Sequence, residues 1–159
     1  MTVIHQNNDA NLRKQLSALI TALEDAQGYA LTFAASAGSP ADSTAYYVGD
    51  VATLPPSSTS ATDYAVTVPR AGTITAAHVL AFANGVAGDN TSWSLHVRLN
   101  NTTDTLIAAV VSANARRVFS NAALSIAVAA GDTLILKTTT PAWVTNPTNV
   151  IWSGVLYIR

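Results

Sequence analysis

The hydrophobic pattern of this 159-residue chain changes period once, and that change limits its fold more than any other feature. Near the start, Leu12, Leu16, Leu19, Leu23 and Ala26 recur at alternating spacings of four and three. From about Tyr64 onward, apolar residues alternate with polar ones. The first spacing lines one side of a helix, and the second builds strands with one buried face. Asn7, Asn8 and Asp9 are N-cap residue types and Gly28 is a stop, so the helix is predicted over about residues 9–27, roughly 27 Å in length. The seam covers about two and a half heptads, fewer than the three or four of a sustained coiled coil. Either copies of the helix bury it, or the chain's own β domain does. Leucine at both seam positions does not choose between dimer and trimer.

Residues 29–62 read as a transition. YALTFAAS and AYYVG have the composition of short strands, while SAGSPADS and ATLPPSSTSATD read as loops. Pro55 and Pro56 should hold the latter segment extended. After Asp63 the strands are clearer. Tyr64, Val66 and Val68 alternate, and Ile74, Ala76, His78, Leu80 and Phe82 share one face of a long strand. Trp93, Leu95, Val97 and Leu99 share another, with Ser94, His96 and Arg98 on its reverse. NNTTD connects this strand to TLIAAVVS as a hairpin. Leu124, Ile126 and Val128 alternate, as do Leu134 and Leu136 after the turn at Gly131. The final strand, IWSGVLYIR, is apolar on both faces, as expected of a strand held between a core and a neighbour. About eight strands at regular spacing, with no second helix, predict an all-β sandwich or jelly roll.

Charge is scarce. Only 11% of residues are charged, against roughly 25% in typical soluble domains, while 49% are hydrophobic. That balance suggests more covered surface than a monomer has. A net charge of −1 gives no basic footprint for nucleic acid. The first fifteen residues lack the basic start and apolar core of a signal peptide, and no stretch is long and apolar enough for membrane insertion. Without cysteine, disulfides and thiolate metal sites are excluded.

No catalytic constellation stands out. Nucleophilic catalysis needs a hydroxyl, a His base and an orienting acid. The histidines are His5, His78 and His96, and Glu24, the sole glutamate, lies on the helix. His78 reads as a core or interface histidine and His96 as solvated. Asp42, Asp50, Asp63, Asp89, Asp104 and Asp132 sit beside Gly, Ser, Thr or Asn, where turn chemistry accounts for them. No EF-hand, P-loop or dinucleotide fingerprint occurs, so no cofactor, no metal site and no enzymatic activity is expected. Binding is better supported. Trp143 lies near Asn146 and Asn149, and an exposed indole with amide neighbours stacks on sugars. The competing reading is that Trp143 plugs the end of the sandwich.

SPADSTAYYVGD, VPRAGTITAAHVLAFANG, WSLHVRLNNTTDTLIAAV, LSIAVAAGDTLILK and PAWVTNPTNVIWSGVLYIR together resemble small phage-associated β proteins, related in style to the knobs of trimeric fibres. The resemblance implies a TNF-like jelly-roll protomer, a homotrimer and display on a virion. Residues 1–28 would be a helical stalk or anchor toward other virion proteins, 29–62 a linker with short strands, and 63–159 the knob. Leu12, Leu16, Leu19, Leu23 and Ala26 would form the trimer seam. Trp143, Asn146 and Asn149 would meet a host surface glycan. The alternatives are a capsid decoration protein that clamps head subunits and a free carbohydrate-binding module.

Overall fold

A computed structural model of the chain describes residues 3–49, 60–62, 64–85, 92–111 and 116–159. Among them, one helix, α1 (Val3–Ala26), precedes ten strands. The first five are β1 (Tyr29–Ala37), β2 (Ala45–Val48), β3 (Val66–Thr67), β4 (Gly72–Asn84) and β5 (Ser92–Leu99). The other five are β6 (Thr103–Val111), β7 (Arg116–Asn121), β8 (Ile126–Val128), β9 (Thr133–Thr139) and β10 (Asn149–Ile158).

The strands form two antiparallel sheets. In the first, the order is β1-β10-β4, and β7 and β8 share the far side of β4 end to end. In the second, the order is β9-β5-β6, and β2 and β3 share the other side of β9. The chain is therefore mostly β, a two-sheet sandwich preceded by one helix. Phe33, Val79, Trp152 and Leu156 from the first sheet meet Val48, Leu95, Val97, Leu134 and Leu136 from the second. Gly154 marks a close approach of the sheets, where a Cβ would lie 2.6 Å from Leu136 Cδ1.

Local chemistry fixes the turns. Asn100 and Asn101 both adopt positive φ, which asparagine tolerates, and Thr102 N–H donates to Leu99 O at 3.0 Å. That is the hairpin turn read from NNTTD. Asn100 then donates to Asp132 Oδ1 and accepts from Thr133 N–H, each at 2.9 Å, so the two neighbouring turns are stapled together.

Three expectations need correction. The helix begins at Val3 rather than near residue 9, because nothing in residues 3–8 breaks a helix as Pro or Gly would. The expected linker is part of the sandwich over residues 29–49. All nine residues of β1 pair with β10, and β2 pairs with β9. Phe33, Ala35 and Val48 are core residues. Pro55 and Pro56 lie outside the described residues. The third correction is a bulge. Between the pairs Tyr157↔Ala76 and Ile158↔Ile74, β4 carries one extra residue, Thr75. A one-residue insertion moves everything beyond it to the opposite face. Ile74 therefore points into the core, while His78, Leu80 and Phe82 alternate with buried Val79, Ala81 and Ala83 and face outward.

Candidate functional site

The helix is the first candidate. Residues 9–23 and 26 are all exposed, and Leu16 is 59% accessible. The chain's own β domain thus does not bury the seam. Leu12, Leu16, Leu19 and Leu23 stand in solvent along one side, and Ala26 closes the row. At 1.5 Å per residue, 24 residues make a rod of about 36 Å.

Arg70, in the turn between β3 and β4, meets the base of that rod. Its guanidinium donates to the Gln27 carbonyl just past the helix end and lies 5.3 Å from the centroid of the Tyr29 ring. The Tyr29 hydroxyl donates to Arg70 O at 2.7 Å. Burial raises the Tyr29 hydroxyl above its ordinary range, against the lowering effect of Arg70's charge and carbonyl. A cation at a helix C-terminus also complements the helix dipole.

The loop around Trp143 does not form the expected sugar cradle. Trp143 is 7% exposed and packs edge-on against Trp93, with ring centroids 5.4 Å apart. Trp93 in turn packs on Trp152, at 5.8 Å. The Asn146 amide is turned to its own chain, donating to Pro40 O and to Asp42 Oδ1, both at 3.2 Å. Asn149 opens β10 and pairs with Asn84. The indole is therefore a plug at the sandwich end, because a large apolar ring gains more from burial than from exposure. The Asn146 amide staples the loop that carries this plug.

The two outer sheet faces differ sharply. Arg98, Asp104 and Lys137 cover part of the second sheet's face. Arg98 donates to Asp104 at 2.8 Å, and Lys137 donates to the other carboxylate oxygen. Burial tends to raise the Asp104 carboxyl, yet hydrogen bonds and charge from Lys137 and Arg98 hold it below the usual carboxylate range. His96, expected to be solvated, is partly covered here, and its Nδ1 is buried without a hydrogen-bond partner among the described residues. Burial lowers its pKa below the histidine norm, with Asp104 opposing and Lys137 adding to the effect.

The first sheet's outer face carries Leu80, Phe82, Val118, Ile151, Val155 and Tyr157. Cross-strand register places Ile151 beside Phe82, and Leu80 beside Val118. Among the described outward positions, Arg116 is the one cation, at the corner opposite Phe82. His78 sits at the centre, its Nδ1 2.7 Å from Ser120 Oγ and its ring edge-on to Tyr157. A shallow groove of ≈ 330 Å³ runs between Thr32, His78, Leu80, Val118 and Ser153. Sequence reading missed this surface because the bulge at Thr75 hides which face of β4 is which. The one signal available was the apolar character of both faces of β10.

No family model and no curated protein matches the sequence. Solved structures with some likeness include FlhE, at 10% identity and a TM-score of 0.49, covering 84% of this chain and 99% of that one. A family 35 carbohydrate-binding module from Clostridium thermocellum matches at 14% identity and a TM-score of 0.34, covering 80% and 98%. The structure of infectious bursal disease virus, Gx strain, matches at 10% identity and a TM-score of 0.34, covering 84% of this chain and 36% of that one. Likenesses this distant carry no information on partner or activity.

Proposed function

We propose that this chain is a non-enzymatic structural protein of a phage virion, a homotrimer whose helix is the stalk and whose sandwich is a jelly-roll knob. The observation that carries the reading is the helix itself, with a leucine seam exposed along its whole length and unburied by its own chain. Exposed large apolar side chains in a continuous row are unfavourable in water, by about 1.5–3 kcal/mol for each fully buried leucine forgone. Copies of the same helix relieve that penalty by packing seam to seam. Strand order supports the jelly roll: with β7 and β8 taken as one strand, and β2 and β3 as another, consecutive strands alternate between sheets except at the β5–β6 hairpin, in two interleaved Greek keys. The resemblance to phage-associated knobs supplies the virion setting. The N-terminal helix is the segment that other virion proteins would hold.

Attachment to a host surface glycan, if the knob performs it, uses a surface other than the buried indole of Trp143. The test is immunogold labelling of purified phage particles carrying either the native chain or Leu16→Asp. The reading expects labelling of native particles and its loss in the variant. Absence of label on native particles overturns it.

A further inference from the structure

We infer that the outer face of the first sheet is the knob-to-knob interface and that its occupant is a second copy of this chain. The inference deepens the stalk reading and rests on it.

Three observations converge. The first is chemical. Leu80, Val118, Val155 and Ile151 present apolar side chains around the single hydroxyl of Ser153, and His78 is satisfied locally by Ser120. With Arg116 at one corner as the one cation among its described positions, the face offers nothing to steer a charged partner. The opposite face already has its charges paired within the chain. An apolar surface is covered best by other apolar surface, and the same sheet of each neighbouring copy, turned toward the stalk axis, supplies it.

The second observation is connectivity. The helix enters the sandwich through β1, the edge strand of this same sheet. Only Gln27 and Gly28 separate Ala26 from Tyr29, so helix end and sheet lie within about 11 Å of each other along the chain. Parallel helices packed seam to seam therefore deliver the first sheets of neighbouring copies side by side. The sheet with the apolar, charge-poor outer face is the one that the stalk brings together.

The third is area. Four strands at about 4.8 Å spacing and seven residues at about 3.3 Å present roughly 400 Å² of sheet face. A stable pair of proteins takes about 800 Å² per partner. The sheet face supplies about half, and the leucine seam supplies a comparable remainder. Neither surface holds the assembly alone, which fits a stalk that is short for a coiled coil.

Full-length protein tests this by sedimentation velocity over a micromolar range, comparing wild type with Val118→Asp and Val144→Asp. Val118 is 66% exposed on an edge-side strand, and Val144 is 86% exposed on a loop away from the face. Val118→Asp should weaken association by more than about a hundredfold, because a carboxylate would be buried without a partner. Val144→Asp should associate as wild type does. Because the chain has no cysteine, Val118→Cys gives a second, gentler readout. Copies should crosslink through residue 118 with a short bismaleimide, and Val144→Cys copies should not. An assembled Val118→Asp protein of wild-type affinity, together with no crosslink at 118, overturns the inference and leaves the stalk intact. A monomeric wild type overturns the stalk reading itself.

Discussion

Replacing Trp143 with alanine separates a core plug from a sugar platform. The indole is nearly fully buried, and a tryptophan removes about 200 Å² from water, worth roughly 5 kcal/mol at 25 cal/mol per Å². The edge-on contact with Trp93 adds about 1 kcal/mol. Against these stands the indole N–H, buried with no hydrogen-bond partner among the described residues, which costs about 1–3 kcal/mol. The balance predicts a loss near 4 kcal/mol for Trp143→Ala, within the usual span for such truncations. At about 2 kcal/mol per molar urea, the unfolding midpoint followed by far-ultraviolet circular dichroism should fall by about 2 M. Trp143→Phe keeps a ring against Trp93 and deletes the unpartnered donor, so its cost should stay below about 1.5 kcal/mol. An alanine variant with a wild-type midpoint would refute the reasoning. Loss of glycan binding in that stable variant would restore the exposed indole.

Three further outcomes follow from particular contacts. Gly49→Ala would place a Cβ 2.1 Å from Tyr64 Cβ and 2.2 Å from its carbonyl oxygen, so the backbone must shift. A stability loss of at least about 2 kcal/mol by urea titration is expected. Both His96 and Asp104 have folded-state pKa values below their ordinary ones, so the unfolded chain takes up protons first. Stability should be full above about pH 6.5, decline as pH falls below that value, and decline again below about pH 3.9. Urea midpoints across this range check the sign, and His96→Gln should flatten the first decline. Arg70→Ala removes the cation from the Gln27 carbonyl and the Tyr29 ring. Hydrogen exchange at residues 23–28 should quicken several-fold, with the protection of β4 and β10 unchanged.

Much of the fold was legible in the period-two stretches. Trp93, Leu95 and Val97 are buried on one face, and NNTTD forms the turn its asparagines suggest. β1 was harder, because YALTFAASA alternates weakly and gains its place only from pairing with β10. The outer face of the first sheet was hidden for a different reason. Ile74 and Leu80 look equivalent along the sequence, yet one added residue between them sends the first inward and the second outward. Register of that kind is a tertiary property and leaves no local mark. Trp143 misled in the opposite way. Amides beside an indole suit a sugar site or a stapled plug equally well, and only Asp42, about a hundred residues earlier, decides between them.

Stalk and knob both require self-association of the whole chain. Light scattering of the full-length protein at micromolar concentration should return three times the 16.5 kDa chain mass, falling to one chain mass for Leu16→Asp. A wild-type mass of a single chain would contradict it.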